Sequence, residues 1–194
     1  MIIMPKLTKT QLTAISTKTG DRGESSLADG RRVAKSSLVF SALGDVDELN
    51  SWLGLLVCLL DKQFAKPRQT LLKVQEDLFY LGAELAASPT STLSATAIKK
   101  IESESTHLQQ LMAKDWTKKF LLPGGSAQAA QLDIARAVCR RAERSVATYG
   151  AEGMVSIRIK RYLNRLSDYL YVLRCFVNQE LVVTEKKFIS TTSK

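Results

Sequence analysis

Apolar residues recur at helical spacing along most of this chain, three to four positions apart, and divide it into five segments. The first helix is predicted from about Leu38 through Cys58 to about Lys62, and within it Leu53 to Leu60 reads as core. A second starts at Pro67, a residue tolerated in a first helical turn, and carries Leu71, Leu72, Val74, Leu78, Leu81 and Leu85. Ser88-Pro89-Thr90-Ser91-Thr92 breaks it, and a third, more polar helix spans about Ala95 to Lys114. Phe120-Leu121-Leu122-Pro123-Gly124-Gly125-Ser126 is a break that ends in a candidate N-cap, Ser126. The fourth helix carries an apolar stripe of Leu132, Ala135, Val138, Ala142 and Val146 and runs to about Tyr149, where Gly150 and Gly153 stop it. The fifth, roughly Val155 to Leu181, presents Ile159, Tyr162, Leu163, Leu166, Tyr169, Leu170, Leu173, Phe176 and Val177 on a broad apolar face.

Five helices with short links predict an all-α fold, a five-helix bundle of up-and-down helices. Residues 15–38 are too glycine-rich for a helix, with Gly20, Gly23 and Gly30 among Thr, Ser, Lys and Asp, and read as a structured loop or short strand region. The expected organisation is a disordered extension over 1–14, one domain over 15–185 and a flexible tail over 186–194. Length agrees, because 194 residues suffice for one ordinary core. No apolar run approaches the roughly 18–20 residues that span a bilayer, so no membrane association is expected.

The polar positions carry the chemistry. On the fourth helix Arg136, Arg140 and Arg144 fall at i, i+4 and i+8 and line one face beside the apolar stripe. On the fifth, Asn164, Arg165 and Asp168 interrupt an otherwise core-like pattern. The chain has 28 Lys and Arg against 19 Asp and Glu, a net charge of +9, and eight of the basic residues lie between Arg136 and Arg165. Guanidinium groups in a row suit an anion with several phosphate oxygens; a solvated basic face is the bland alternative. A nucleic-acid partner is the competing reading. Aromatic residues do not interleave with the basic ones as a stacking platform requires, so no nucleic acid is expected.

Two further motifs stand out. Thr17-Lys18-Thr19-Gly20-Asp21-Arg22-Gly23 reads either as a plain turn or as a loop whose amides, hydroxyls and Lys18 approach phosphate; it is not a Walker A loop. Gly44-Asp45-Val46-Asp47-Glu48-Leu49-Asn50 either complements a helix dipole or supplies an acid that holds an arginine or contributes to a magnesium site. Cys58, Cys139 and Cys175 form no CxxC pair and read as buried free thiols, and His107 as a surface residue without metal-ligand partners.

These two motifs, taken in order with Phe120–Gly125, Cys139-Arg140-Arg141-Ala142-Glu143-Arg144 and Asn164-Arg165-Leu166-Ser167-Asp168-Tyr169, resemble the PduO-type ATP:cob(I)alamin adenosyltransferases over about residues 15–180. The resemblance implies a five-helix homotrimer with active sites between subunits. The implied reaction moves the 5′-deoxyadenosyl group of ATP onto the cobalt of cob(I)alamin and releases tripolyphosphate, with Mg2+ accompanying ATP. Residue by residue, it implies that Thr17, Lys18, Thr19, Gly20 and Lys35 form the loop over ATP. Arg140, Arg144 and Asn164 would contact phosphates or nucleoside, and Glu143 would help to place ATP or magnesium. Asp47 would pair with Arg136 across the interface and shape the corrin pocket. Phe120 would be the aromatic wedge that displaces the lower axial ligand and leaves cobalt four-coordinate. Further implied partners are a flavoprotein reductase and an adenosylcobalamin-dependent enzyme, in the cytoplasm or, alternatively, a mitochondrion. Two departures from the family pattern are visible: Asp133 stands where relatives often have His, and Arg174-Cys175-Phe176 replaces a smaller, alanine-rich stretch.

Overall fold

The computed structural model describes residues 18–118, 121–152 and 155–188. Residues 1–17, 119–120, 153–154 and 189–194 lie outside the described residues, and with them the expected extension, Thr17 and Phe120. A two-stranded antiparallel hairpin, β1 (Glu24–Ser26) and β2 (Arg32–Ala34), precedes five helices: α1 (Leu38–Leu59), α2 (Ala65–Leu85), α3 (Ala97–Leu111), α4 (Ala127–Tyr149) and α5 (Ile157–Glu180). The all-α bundle expected from periodicity is the fold observed, and the glycine-rich stretch supplies the hairpin.

α5 is the central element. Fourteen of its residues are buried, including Ile159, Tyr162, Leu163, Leu166, Tyr169, Leu170 and Leu173. Fully burying a side chain of this size contributes about 1.5–3 kcal/mol, so this helix dominates the apolar driving force. It packs against α4 on one side and α3 on the other, while α1 bridges α4 and α2. Cross-helix contacts set the directions. Leu43 lies near Gly82 and Asn50 bonds Gln75, so α1 and α2 run antiparallel. Asp45 meets Arg141 and Asp61 meets Gln128, so α4 opposes α1. Glu102 meets Arg165 and Leu111 meets Gln179, so α3 runs with α5. Helices therefore alternate up and down.

Local chemistry explains the boundaries. Ser126 (φ −74°, ψ 161°) caps α4, its hydroxyl accepting the Ala129 N–H at 3.1 Å and donating to Asn178 Oδ1 at 2.9 Å. α2 begins at Ala65, so Pro67 falls within the first turn, where its missing N–H has no partner to lose. The hairpin docks on the end of α2 through Ala28 N–H to the Ala86 carbonyl at 2.9 Å, with Leu27 buried beneath it. Glu84 ties the α2–α3 connection to the start of α5 by accepting from Leu93 N–H and the Ser156 hydroxyl.

Two expectations are corrected. Cys139 and Cys175 are buried, but Cys58 is exposed: Leu53, Leu56, Val57 and Leu60 turn inward and leave Leu55, Cys58 and Leu59 on the opposite face. The acidic cluster is also not at a helix start. α1 begins at Leu38, which leaves Asp45, Asp47 and Glu48 beyond the first turn, where a helix dipole has little hold.

Asp77 is a buried carboxylate on α2 that accepts from the Tyr162 hydroxyl at 3.2 Å and lies 3.7 Å from Lys73. Burial raises its pKa, and Lys73 offsets only part of that. The folded state thus holds the proton more tightly than the unfolded chain. Its stabilising contribution is present at low pH and is lost as pH rises through the raised value. Asp77→Asn removes this dependence, so denaturant titrations should favour the variant over wild type more near neutral pH than at about pH 4. Removing the α4 cap with Ser126→Ala should lower the unfolding free energy by about 1–2 kcal/mol, read as a fall in midpoint at constant m value.

Candidate functional site

The row of arginines is real but its members differ. Arg136, half-buried, lays its guanidinium over the Tyr171 ring, 5.4 Å from the centroid, and Tyr171 in turn contacts Trp116 with ring centroids 6.3 Å apart. Arg140 and Arg144 are exposed; Arg144 Nη1 donates to the Arg140 carbonyl at 3.0 Å. Among the described residues neither guanidinium has a carboxylate in salt-bridge range. Two exposed, uncompensated cations one helical turn apart form a patch of positive potential suited to phosphate oxygens.

Beside them α4 and α5 share a polar seam. Asn164 Nδ2 donates to Glu143 Oε1 at 3.2 Å, and Asn164 Oδ1 accepts from Arg165 Nη1 at 2.9 Å. Arg165 is engaged by Glu102 at 2.9 Å and Asp168 at 3.6 Å, which neutralises it and separates it in character from Arg140 and Arg144. The structure therefore brings Glu143 and Asn164 together and leaves Arg165 in a surface ion-pair cluster.

The N-terminal turn is assembled by backbone bonds from Asp21 N–H to the Lys18 carbonyl and from Gly23 N–H to the Gly20 carbonyl. Lys18 takes φ 56°, an uncommon choice for a side-chain-bearing residue and a mark of a tightly specified turn. Lys35 follows β2, and its Nζ would lie 3.0 Å from a Cβ at Gly20, so a side chain there would crowd the ammonium. Lys18, Thr19, Gly20 and Lys35 are thus brought to one end of the hairpin, and Arg32 holds the Thr19 carbonyl at 2.8 Å.

The acidic motif of α1 does hold an arginine, and it is Arg141. Arg141 Nε donates to Asp45 Oδ1 at 3.0 Å and its Nη2 to Glu48, while the Ser145 hydroxyl donates to Asp45. This clamp joins α1 to α4 and frees Asp47, which stays exposed on α1. Asp47 and Arg136 do not meet within one chain. The Arg141 clamp and the Trp116–Tyr171–Arg136 stack were not recognised in the sequence. Asp45 lies 96 residues from Arg141, and no local spacing announces that contact.

Several clefts lie away from the arginines. One of about 420 Å³ opens between α2 and α3, lined by Lys66, Lys73, Lys100 and Glu104 among others. Another of about 420 Å³ runs between α1 and α2 with Asp47 on its wall beside exposed Phe79. A smaller one of about 220 Å³ lies beside Leu121, between Trp116, Cys175 and Val183. Arg140 and Arg144 line none of these clefts and are exposed on α4. Among the described residues no cluster of three or more His, Cys, Asp or Glu could hold a metal, and no helix is long and apolar enough to cross a membrane.

Comparison with known proteins gives this arrangement a family. The profile described as cobalamin adenosyltransferase matches residues 15–177. A cobalamin adenosyltransferase of Cupriavidus metallidurans is 43% identical over 87% of this chain and 90% of its own length. A corrinoid adenosyltransferase of Mycobacterium leprae is 37% identical over 86% of this chain and 92% of its own. Among solved structures, a variant PduO-type ATP:corrinoid adenosyltransferase from Lactobacillus reuteri, complexed with cobalamin and ATP, superposes with a TM-score of 0.83. It is 28% identical in sequence, and the match covers 93% of this chain and 98% of that one. A fold shared end to end and a profile spanning hairpin and all five helices leave one assignment: this chain belongs to the cobalamin adenosyltransferase family, with PduO-type enzymes among its relatives.

Proposed function

We propose that the protein transfers the 5′-deoxyadenosyl group of ATP to cob(I)alamin, forming adenosylcobalamin and tripolyphosphate. The observation that carries this reading is the pair of uncompensated guanidinium groups, Arg140 and Arg144, beside the Glu143–Asn164 contact in a member of this family. In the reaction the cobalt lone pair attacks C5′, the C5′–O bond breaks, and its electron pair leaves on the tripolyphosphate. The attacking group is the substrate itself, so no nucleophilic side chain is needed. What the chain must supply is alignment and neutralisation of the leaving charge.

Arg140 and Arg144 suit that neutralisation, and Lys35 with Thr17, Lys18, Thr19 and Gly20 suits a loop closing over the triphosphate. Asn164 suits the nucleoside or the adjoining phosphates. Magnesium commonly binds through one or two carboxylates plus substrate phosphates. Glu143, half-buried and oriented by Asn164, is the carboxylate that fits this role here. Phe120 is assigned to the lower face of the corrin, where an apolar ring can fill the vacated axial position without ligating cobalt.

The same reading completes the site in a homotrimer. Asp47 has no salt bridge among the described residues, and Arg136 is stacked on Tyr171, so each is available to the other across a subunit boundary. A flavoprotein reductase would supply reduced cobalamin, an adenosylcobalamin-dependent enzyme would take the product, and the compartment would be the cytoplasm or a mitochondrion.

The deciding experiment supplies ATP, magnesium and chemically reduced cobalamin anaerobically and follows corrin absorbance together with tripolyphosphate release. Folded protein without turnover would refute the function. Arg140→Ala should reduce kcat/KM for ATP by the equivalent of about 2–4 kcal/mol, and a near-wild-type value would remove Arg140 from the site. For the interface pair, Asp47→Arg and Arg136→Asp should each impair cobalamin turnover, and the double variant should recover part of it. Additive losses in the double variant would argue against the pairing.

A further inference from the structure

The most enclosed charge among the described residues takes no part in the site described above. Arg174 on α5 has a side chain only 2% exposed. Its Nε donates to Asp133 Oδ2 on α4 at 3.3 Å and its Nη1 to Glu185 in the segment after α5. Its Nη2 donates to the carbonyls of Leu122 at 2.9 Å and Gly124 at 3.2 Å. Asp133 and Arg174 are the two departures noted in the sequence, and they prove to be a matched pair. Burial pulls the guanidinium pKa down, but the carboxylates of Asp133 and Glu185 outweigh that and raise it above its ordinary value.

The network converges on one short stretch of backbone. Asp133 Oδ2 also accepts the Gly124 N–H at 2.8 Å, and Asn178 Nδ2 donates to the Gly124 carbonyl at 3.0 Å. Leu122 N–H donates to the Lys186 carbonyl at 2.9 Å, and Leu121 forms an antiparallel bridge with Lys187. Gly125 has φ 102°, and a Cβ there would meet Asn178 Oδ1 at 2.7 Å. The stretch from Leu121 to Gly125 is thereby held by α4, α5 and the segment after α5 together. Apolar residues of similar volume would hold the bundle as well as a buried ion pair does. What the planar guanidinium adds is a directional grip on two carbonyls at once.

We propose that Arg174, with Asp133 and Glu185 as its counter-charges, is a positioning residue for cobalamin: it fixes the Leu121–Gly125 segment on the corrin side of the site. This rests on the adenosyl-transfer reading, in which that side handles the lower axial ligand. Arg174 touches no substrate. It acts by setting the geometry of the segment, so its loss should affect the step that depends on removing the lower ligand and leave ATP use alone.

The test compares wild type, Arg174→Met and Glu185→Gln as full chains, each checked for folding by circular dichroism and thermal melting. Turnover is measured with ATP from cob(II)alamin plus a chemical reductant and, separately, from pre-reduced cob(I)alamin. The absorbance spectrum of cob(II)alamin on the ATP-loaded protein reads loss of the lower ligand, and amide exchange reads the order of residues 121–125. Arg174→Met should lower the cob(II)-to-cob(I) activity ratio about tenfold, weaken the spectrum of cob(II)alamin lacking its lower ligand, and speed exchange at Leu122 and Gly124, with KM for ATP unchanged. Glu185→Gln should shift the same readouts in the same direction by less, and it decides the matter if Arg174→Met does not fold. Equal losses in both assays, or an unchanged ratio in folded protein, would overturn the proposal. An inactive wild type would overturn it together with the function, whereas equal losses in an active enzyme would overturn it alone.

Discussion

Burial of one broad face of α5 is the constraint from which the rest of the structure follows. With Tyr162, Tyr169, Arg174 and Asn178 all inside, α5 packs between α4 and α3, and α2 reaches it through Asp77 and Tyr162. That wrapping is uneven. α4 and α3 flank α5 closely, α1 reaches it through α4, and α2 meets α3 only lightly, which leaves the lysine-lined cleft between them. Several of the polar groups admitted to the interior find polar partners: Tyr162 meets Asp77, Arg174 meets Asp133 and Glu185, and Asn178 meets Ser126 and Gly124. Each is a directional contact inside an apolar core, and each fixes a neighbouring element to a defined position on α5.

Much of this was legible in the sequence because it depends on local spacing. The stripe of Leu132, Ala135, Val138, Ala142 and Val146 is buried as its period requires, the Ser126 cap forms as its position suggests, and α4 ends at Tyr149. The fold class followed from the same regularities, whereas the family followed from the resemblance carried by the ordered motifs. Cys58 escaped because its surroundings are apolar in sequence while the helix turns it outward, a matter of a hundred degrees per residue that composition does not register.

The candidate site was only partly legible, for a physical reason. Arg136, Arg140 and Arg144 share one face and look equivalent, yet their roles depend on what lies across from them. Tyr171 claims the first, while the other two find no carboxylate. Arg141, one residue along and on a different face, is neutralised by acids from another helix. The same holds for Asp133 and Arg174, which stood out as separate oddities 41 residues apart and form one contact in space. Periodicity assigns a residue to a face; only the fold assigns it a partner.

The stacking of Arg136 on Tyr171 has a consequence for whatever binds at that face. A free arginine side chain explores many rotamers, and ordering it costs up to about 2 kcal/mol of conformational entropy. Tyr171, itself braced by Trp116, already holds the guanidinium plane in one orientation in the isolated subunit. Part of the ordering cost is therefore met during folding, and a carboxylate that binds there has less of it to overcome. A surface charge that would ordinarily resist confinement is presented as a nearly rigid feature, ready for whatever carboxylate approaches it.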